Sequence, residues 1–419
     1  MQRLVIEGEK KLCGELKVQG AKNSALPLLA ACILVEGEAI LHNCPRLSDV
    51  FASCRILGCL GCECRVDGGD VTVKASAPCG CCVPDELMRE MRSSIIFLGA
   101  VLGRLGECSL SFPGGCELGP RPIDMHLSAL RQMGADINEQ HGILHCFCPE
   151  GLKGASLSLS FPSVGATENI MLAAATADGT TKIKNAAREP EISDLAGFLR
   201  CCGAKISGDG SDTIIIEGVP QLHSCEYTVM PDRIAAVTFM SAAAITGGEL
   251  SLLGARACDL DAVIPIFDEM GCKTYFYSDR AFISRISPLR SVRTIRTMPY
   301  PGFPTDAQAL LMAVLTKAAG TSIIVENIFE NRYRHVDELV RMGASIKAEG
   351  KVAVIDGVRK LYGAKVRATD LRGGAALVVA ALAAEGVTEI SEIKHIDRGY
   401  ENFEGMLRSV GASVRRETV

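Results

Sequence analysis

The sequence has no apolar run long enough to cross a lipid bilayer. Its longest apolar runs, residues 24–35 and 234–246, span about 12 or 13 residues, whereas a membrane-spanning helix needs ~20. We therefore expect both runs to be buried helices. The first eight residues also lack the basic start, long apolar centre and small-residue cleavage site of a secretory signal. These absences predict a cytoplasmic protein with no membrane partner.

The sequence also has no excess of positive charge. Its 44 Lys and Arg residues face 49 Asp and Glu residues, which gives a formal net charge of −5. Because nucleic-acid-binding proteins usually present a basic surface, we do not expect general nucleic-acid binding. Any anionic ligand must instead be bound by a local cluster of basic side chains.

Cysteine, by contrast, is abundant, with 19 residues in the chain. Disulfide scaffolds are typically short secreted chains, whereas this chain has 419 residues, of which 48% are hydrophobic. We expect most of the cysteines to be reduced and buried, where they fill the core. A structural zinc site stays open as an alternative for one dense group, although its spacing contains no clean pair of Cys-x-x-Cys motifs. That group is Cys54, Cys59, Cys62, Cys64, Cys79, Cys81 and Cys82.

The most informative feature present is a sixfold repeat. Six helix-like stretches end in Gly followed by Ala or Cys, at intervals of 68 to 73 residues, and these glycines are Gly61, Gly134, Gly203, Gly271, Gly343 and Gly411. A second series marks where an Ala-rich run gives way to a β-type run, at Gly37, Gly106, Gly179, Gly248, Gly320 and Gly386. A fixed period indicates one supersecondary unit repeated along the chain. Each unit is predicted to contain helix, strand, helix and hairpin.

The sixth predicted hairpin lacks its second strand, because the sequence stops at Val419. Residues 4–8 match residues 214–218 in pattern, and no hairpin partner precedes them. We predict that this N-terminal strand completes the sixth unit.

Charged or polar residues recur at or just before the start of each predicted buried helix. They are Lys22 and Asn23, Arg92, Ser163 and Thr167, Arg233, Asp306, and Arg372. A helix N-terminus carries partial positive charge, so Lys or Arg there is unfavourable unless an anion is shared. Exposed surface charge is the simpler interpretation of any single one, but their recurrence in register favours an anion site. Loops of several units add arginines suited to phosphate or carboxylate, namely Arg121, Arg188, Arg332, Arg334 and Arg398.

The second unit is longer than the others because of residues 113–124, a loop rich in Gly and Pro. This loop contains Cys116 and Arg121. An enlarged loop of this composition is a candidate lid over a binding site.

Together these motifs resemble the enolpyruvyl transferases, and among them the UDP-N-acetylglucosamine 1-carboxyvinyltransferase branch. The similarity extends almost from end to end, through residues 20–24, 113–124, 163–167, 185–191, 231–233, 303–306, 329–332, 368–372 and 395–400. The resemblance implies an α/β (α+β) fold, an inside-out α/β barrel. This fold has two similar domains, each of three βαβαββ repeats around buried helices. Residues 22–229 would form the first domain, residues 1–21 and 230–419 the second, and the active site would lie in the cleft between them.

The resemblance also implies a reaction and its residues. Phosphoenolpyruvate would give its enolpyruvyl group to the 3-hydroxyl of UDP-N-acetylglucosamine by addition and elimination, with no metal or organic cofactor. Cys116 would be the acid and a possible site of a covalent phosphoenolpyruvate adduct, and Asp306 would be the base, assisted by Lys22 and Arg398. Phosphoenolpyruvate would contact Lys22, Asn23, Arg121, Arg332, Arg372 and Arg398. The nucleotide sugar would contact Arg92, Arg121, Pro122, Ile123, Asp124, Met125, Ser163, Val164, Gly165, Asp306 and Ile328.

Asp306 has a second possible role, because Asp is a common helix cap. We expect it both to cap its helix and to face the substrates. Phe161 stands where many members of the family carry a lysine, so only Ser163, Val164 and Gly165 are carried over in that segment. Two other functions stay open: enolpyruvyl transfer to shikimate 3-phosphate, and ligand binding without catalysis on the same scaffold. The sequence predicts small-molecule substrates and leaves the oligomeric state open.

Overall fold

A computed structural model of the protein describes residues 2–76, 80–111 and 123–418, with the side chain of Arg92 excepted. The described residues divide into two compact units. Of these residues, 20–76, 80–111 and 123–230 form the N-terminal unit, and 2–19 and 231–418 form the C-terminal unit.

Helices account for much of both units. In chain order they are α1 Lys22–Ala31, α2 Ser48–Cys59, α3 Asp85–Glu90, α4 Phe97–Leu105, α5 Asp124–Gln132, α6 Val164–Ala174, α7 Pro190–Cys201, α8 Arg233–Thr246, α9 Ile264–Glu269, α10 Thr305–Leu315, α11 Val336–Arg341, α12 Leu371–Leu382, α13 Lys394–Asp397 and α14 Phe403–Ser409. Short 3-10 helices cover Cys32–Leu34, Arg92–Ile96 and Ala257–Asp259.

The strands are short, and most have five residues or fewer. The first thirteen strands are β1 Gln2–Glu7, β2 Cys13–Lys17, β3 Val35–His42, β4 Glu63–Asp67, β5 Asp70–Lys74, β6 Cys82–Val83, β7 Glu107–Ser111, β8 Asp136–Gln140, β9 Ile143–Phe147, β10 Ser156–Ser158, β11 Thr180–Lys184, β12 Lys205–Ser207 and β13 Thr213–Glu217. The strands that follow are β14 Leu222–Thr228, β15 Glu249–Leu253, β16 Lys273–Tyr277, β17 Arg280–Ser284, β18 Thr294–Arg296, β19 Thr321–Val325, β20 Ser345–Glu349, β21 Val352–Asp356, β22 Leu361–Tyr362, β23 Lys365–Arg367, β24 Ala384–Glu385, β25 Val387–Ser391 and β26 Ser413–Thr418.

The repeat predicted from the glycines corresponds to six four-stranded sheets, three in each unit. In the sheet ordered β10-β11-β13-β12, the first pair is parallel and the other two pairs are antiparallel. The other five sheets follow the same plan, as βαβαββ repeats require. The prediction of an α/β fold made of these repeats is confirmed.

The recurring glycines have a physical explanation in the backbone. The six glycines of the first series all have positive φ, between 87° and 100°. This left-handed conformation ends a helix and costs a glycine little, since it has no Cβ. Five of the six glycines in the second series also have a positive φ. At the sixth, Gly248, a Cβ atom would lie 2.1 Å from the carbonyl oxygen of Leu12.

The N-terminal strand completes the sixth repeat, as predicted. Strand β1 pairs antiparallel with β26, from Gln2 opposite Thr418 to Glu7 opposite Ser413. On its other side β1 pairs with β25. The two ends of the chain are therefore joined in one sheet of the C-terminal unit.

The long apolar helices are buried, as their composition predicts. In the C-terminal unit α8, α10 and α12 contact one another pairwise, and in the N-terminal unit α4 contacts both α1 and α6. Almost every residue of α8 and α12 is buried. Across the described ranges, no helix is long and apolar enough to cross a membrane.

The cysteines are less buried than predicted. All 17 described cysteines are free thiols, of which eight are buried and five are exposed. For the described cysteines, the prediction that most would be buried is therefore not met, because strand and helix surfaces carry many of them. As for the zinc alternative, the described residues contain no group of three potential metal ligands. Cys79, one of the proposed ligands, lies outside the described residues.

Candidate functional site

In the C-terminal unit, Asp306 lies between two buried arginines. Its Oδ1 accepts a hydrogen bond of 2.8 Å from Arg332 Nη2. Its Oδ2 accepts bonds of 3.0 Å and 3.2 Å from Arg372 Nη2 and Nε. The arginine side chains are only 3% and 4% exposed, whereas that of Asp306 is 28% exposed. Two cationic groups are thus held together by one carboxylate that still reaches the surface of its unit.

Arg372 stays charged in spite of its burial. Burial lowers the pKa of this guanidinium, but acidic neighbours, above all Asp306, raise it above its ordinary value. The Tyr400 hydroxyl lies 3.3 Å from Arg372 Nη1 and 2.8 Å from Thr238 Oγ1. A buried cation of this kind is a strong electrostatic partner for a phosphate or a carboxylate.

The start of α12 is fixed by a capping carboxylate. Asp370 Oδ1 accepts hydrogen bonds of 3.0 Å from the backbone N–H groups of Arg372 and Gly373. Gly373 and Gly374 allow close packing here, because a Cβ on either would lie 2.7 or 2.8 Å from the nearest side-chain atom. The two glycines therefore position Arg372.

The prediction that Asp306 caps its helix is wrong. The N-cap of α10 is Pro304, and Asp306 lies within the first turn, with its carboxylate turned to the two arginines. Thr305, the residue before it, donates a hydrogen bond of 3.0 Å to Glu326 Oε2. The local pattern suggested a cap, but the long-range ion pairs determine where the side chain points.

Glu326 organises the loop that contains Ile328. This carboxylate is 1% exposed, and its Oε1 accepts bonds of 2.9 Å from Thr297 Oγ1 and of 2.8 and 3.1 Å from the N–H groups of Ile328 and Phe329. Ile328 itself is half-buried. The fixed loop and Asp306 are thus connected through the contact of Glu326 with Thr305.

Arg398 belongs to the same unit, at the C-cap of α13, and is half-buried. The backbone around it is held by Gln19, whose amide donates to Gly399 O at 3.0 Å and accepts from Glu401 N–H at 2.8 Å. The ion pairs of Asp306 therefore bring together Arg332 and Arg372, while Arg398 occupies a separate, well-anchored turn.

In the N-terminal unit, Lys22 is the first residue of α1. Its Nζ lies 3.3 Å from Asp49 Oδ2, in an ion pair whose side chains are 13% and 4% exposed. Asn23 is exposed. The next residue, Ser24, donates a short hydrogen bond to Asp194 in α7.

Asp194 fixes the start of α1. Besides the bond from Ser24, its carboxylate accepts one of 2.9 Å from the Tyr227 hydroxyl and one of 3.2 Å from the Met230 N–H. The lysine and asparagine at the start of α1 are thereby held by α7 and β14.

The predicted nucleotide-binding residues lie at the starts of α5 and α6. Ser163 Oγ caps α6 by accepting from Ala166 N–H at 3.4 Å, and the Ser160 hydroxyl donates to Met125 Sδ at 3.6 Å. A Cβ on Gly165 would lie 3.4 Å from the ring of His126. Val164 is half-buried, Ile123 is buried and Asp124 is exposed. These two helix starts are therefore neighbours, as one shared ligand would require.

Three acidic residues meet where α6 and α7 pack. Glu168, in α6, and Glu191, in the first turn of α7, are only 6% and 3% exposed. Glu189 is the N-cap of α7. Burial, followed by the charges of Glu191 and Glu189, raises the pKa of Glu168 well above its ordinary value. Burial and its acidic neighbours therefore favour the protonated form of Glu168 over the ionised form.

Replacing Glu168 by Gln is expected to stabilise the protein above pH 7 and to have little effect near pH 4. At acid pH Glu168 is protonated in both the folded and the unfolded chain. As the pH rises, Glu168 ionises in the unfolded chain before it ionises in the folded protein, so the wild-type protein loses stability that the variant keeps. We expect the variant's melting temperature to exceed the wild-type value by at least about 2 °C at pH 8, which corresponds to ~1 kcal/mol. Glu139→Gln, at an exposed position of β8, is the control, and an equal shift at both pH values would contradict the expectation.

Several predicted residues lie outside the described part of the chain. Cys116, Arg121 and Pro122 belong to residues 112–122, as does most of the candidate lid. Arg92 begins a 3-10 helix, but its side chain is not described. The roles given to these four residues remain predictions.

Sequence reasoning missed the residues that orient the predicted ones. Asp49, Asp194, Glu326, Asp370 and Tyr400 each contact or position a predicted site residue. A polar residue within an apolar segment was the only local sign of most of them. Asp370 alone had a recognisable signal, since an Asp directly before a helix is a typical cap.

Comparisons with known proteins identify the family of the chain. Residues 6–407 match the family model described as EPSP synthase (3-phosphoshikimate 1-carboxyvinyltransferase). The chain is 51% identical over 418 residues to UDP-N-acetylglucosamine 1-carboxyvinyltransferase 2 of Caldanaerobacter subterraneus subsp. tengcongensis, which covers 99% of this chain and 100% of that relative. It is 49% identical over 419 residues to UDP-N-acetylglucosamine 1-carboxyvinyltransferase of Nitratidesulfovibrio vulgaris, strain DP4, with 100% of both chains covered.

Solved structures have the same fold. The enolpyruvyl transferase NikO from Streptomyces tendae superposes with a TM-score of 0.90 at 26% identity, over 100% of this chain and 99% of that one. An EPSP synthase from Acinetobacter baumannii superposes with a TM-score of 0.79 at 20% identity over 100% of both chains, a level of identity that supports the fold alone. The chain therefore belongs to the EPSP synthase (3-phosphoshikimate 1-carboxyvinyltransferase) family of enolpyruvyl transferases.

Proposed function

We propose that the protein transfers the enolpyruvyl group of phosphoenolpyruvate to the 3-hydroxyl of UDP-N-acetylglucosamine and releases phosphate, the first committed step of peptidoglycan precursor synthesis. The observation that carries this proposal is full-length identity of about half to relatives named for this reaction. The two buried arginines that Asp306 joins suit the reaction, because arginine binds anionic groups and both substrates are anionic.

The reaction needs an acid, a base and cationic groups that bind the substrates. The sugar hydroxyl adds to the carbon of phosphoenolpyruvate that carries the phosphate, while the methylene carbon accepts a proton. The resulting tetrahedral intermediate then loses a proton from its new methyl group and expels phosphate, so that a new enol ether forms. Proton transfer by positioned side chains typically contributes ~10²–10⁴-fold to such a rate.

We assign Asp306 as the base that accepts the hydroxyl proton. Its carboxylate is 28% exposed, and both of its oxygens accept hydrogen bonds from arginine. These bonds fix the direction of the carboxylate. Cys116 is assigned as the acid that protonates the methylene carbon, and its thiol is also the group that would form a covalent adduct with phosphoenolpyruvate.

Lys22, Asn23, Arg121, Arg332, Arg372 and Arg398 are proposed to bind phosphoenolpyruvate. In the N-terminal unit the ion pair with Asp49 orients the ammonium group of Lys22, while Asn23 remains exposed to a ligand. In the C-terminal unit Arg332 and Arg372 are positioned before substrate arrives, so little reorganisation is needed as charge develops.

The nucleotide sugar is proposed to contact the starts of α5 and α6, together with Arg92, Arg121, Pro122, Asp306 and Ile328. Ser163, Val164 and Gly165 begin α6, whose backbone N–H groups favour an anionic group. Phe161, which is 42% exposed, offers an apolar surface beside them rather than a charge.

The direct test follows phosphate release from phosphoenolpyruvate with one acceptor at a time. We expect release with UDP-N-acetylglucosamine and none above background with shikimate 3-phosphate or without an acceptor. The product should be identified by mass as the enolpyruvyl ether of the nucleotide sugar. If shikimate 3-phosphate were the only productive acceptor, the function would instead be enolpyruvyl transfer to shikimate 3-phosphate, the activity that gives the family model its name. If neither acceptor gave phosphate release, a non-catalytic protein would be favoured.

A further inference from the structure

Two thiols in the N-terminal unit that are not assigned to the reaction are in direct contact. Cys202 is the C-cap of α7 and Cys225 lies in β14, and their sulfur atoms are 3.4 Å apart. Cys202 is fully buried, whereas Cys225 is partly exposed. A third thiol, that of Cys201, is exposed and lies 3.7 Å from the carbonyl oxygen of Glu226.

The backbone holds these two segments together. The N–H group of His223 donates to the carbonyl oxygen of Cys202 at 2.8 Å, and the pairing of β14 with β3 shifts register between His223 and Cys225. One turn earlier in α7, the ring of Phe198 packs edge-on against Tyr227 of β14, with 5.8 Å between ring centroids. Because both segments are fixed on either side of the thiols, the sulfur atoms can reach the 2.05 Å bond length chiefly by side-chain rotation.

We propose that Cys202 and Cys225 are a redox-sensitive pair that hydroperoxides convert into an intramolecular disulfide. The Cys225 sulfur attacks the peroxide, the O–O bond breaks, and Cys225 becomes a sulfenic acid while one oxygen leaves as water or an alcohol. The Cys202 sulfur then attacks the sulfenic sulfur, so that the S–S bond forms and the S–O bond breaks. The departing hydroxide takes the Cys202 proton and leaves as water. In total, two thiols give two electrons to one peroxide.

Cys54 and Cys64 also interact, and both are partly exposed, so earlier oxidation of that pair would contradict the proposal. Two further pairs of neighbouring thiols are less suited to this chemistry. Cys108 and Cys146 face each other on paired antiparallel strands, but both are buried, at 1% and 3% exposure, so an oxidant does not reach them. Cys81 and Cys82 are adjacent in sequence, with sulfur atoms 3.9 Å apart, and a disulfide between neighbours requires a distorted backbone. Cys202 and Cys225 combine contact with access from solvent.

The reaction should be faster in alkaline solution. Contact with Cys202, and then burial, raises the pKa of Cys225 above its ordinary value. Burial, assisted by Cys225, raises the pKa of the exposed Cys201 thiol to about 11. Since the thiolate is the reactive form, the rate of oxidation should rise between pH 7 and pH 9.

The disulfide should also stabilise the N-terminal unit. It would close a loop that contains β12 and β13 and would link the end of α7 to β14. Such a link restricts the unfolded chain, so we expect the oxidised protein to melt several degrees above the reduced protein.

To test this, the purified full-length protein is treated with hydrogen peroxide at pH 7 and pH 9. The remaining thiols are then alkylated, and the disulfides are mapped by mass spectrometry. We expect peptides linked through Cys202 and Cys225 to form first, and several-fold faster at pH 9. Cys201→Ser should still form this link, whereas Cys202→Ala and Cys225→Ser should not form it.

The proposal would be overturned by a link from Cys225 to Cys201, by equal cross-linking in Cys202→Ala, or by earlier oxidation of Cys108 and Cys146. Circular dichroism checks that each variant is folded. Cys225→Ser is the safer variant, since its site is partly exposed. The proposal does not depend on the assigned reaction, so its failure would leave the proposed enzymatic function unchanged.

Discussion

Asp306→Asn is expected to lower kcat for phosphate release by ~10²–10⁴-fold, the usual contribution of a general base. The amide would keep the shape of the carboxylate but could not accept the hydroxyl proton. It would also remove the negative charge that Arg332 and Arg372 share. We therefore expect a second effect, a loss of about 1–3 kcal/mol in the free energy of unfolding. This loss is smaller than the ~3–5 kcal/mol of a fully buried pair, because the Asp306 side chain is 28% exposed.

A matched control separates the two effects of this substitution. Glu404 pairs with Arg416 in the same unit at 2.7 Å, with side chains 13% and 27% exposed. Glu404→Gln should lower the free energy of unfolding by about 1 kcal/mol, as expected for a partly exposed pair, and leave kcat unchanged. Steady-state kinetics and urea denaturation are to be measured for both variants. If Asp306→Asn lost stability but kept wild-type kcat, Asp306 would be a structural residue and not the base.

Much of the fold could be predicted because backbone requirements recur. A helix that ends in the left-handed conformation favours glycine at that position, so Gly61 and its five counterparts recur in every repeat. The completion of the sixth repeat by β1 followed from the same regularity, because residues 4–8 had the pattern of a hairpin strand without a partner. Buried helices such as α8 and α12 were evident from apolar residues on nearly every face.

The orientation of the site could not be predicted in the same way. Whether Asp306 caps α10 or joins two arginines depends on Arg332 and Arg372, which lie 26 and 66 residues further along the chain. Asp194 likewise holds Ser24 across 170 residues of sequence. Such contacts leave no local periodicity, so only the fold reveals them. The burial of single cysteines was also hard to predict, since a small apolar thiol suits both cores and strand surfaces.

Cys116→Ser is expected to reduce the rate of phosphate release by at least ~10²-fold and to abolish any covalent phosphoenolpyruvate adduct. A serine hydroxyl is a far weaker acid than a thiol and does not attack the substrate without an activating base. Intact-mass measurement after incubation with phosphoenolpyruvate should show one adduct on the wild-type protein and none on the variant. Cys13→Ser and Cys258→Ser, at two exposed positions, are the controls and should keep both turnover and the adduct.

The same cysteine provides a test of whether residues 113–124 act as a lid. The epoxide fosfomycin resembles phosphoenolpyruvate and should alkylate Cys116 in preference to the other 18 thiols. If the nucleotide sugar closes the loop over the bound epoxide, its presence should accelerate this alkylation, because closure brings thiol and epoxide into reacting geometry. Labelling is followed by peptide mass spectrometry with and without the sugar. A rate that does not depend on the sugar would argue against closure, and labelling at another thiol would also remove Cys116 as the reactive group.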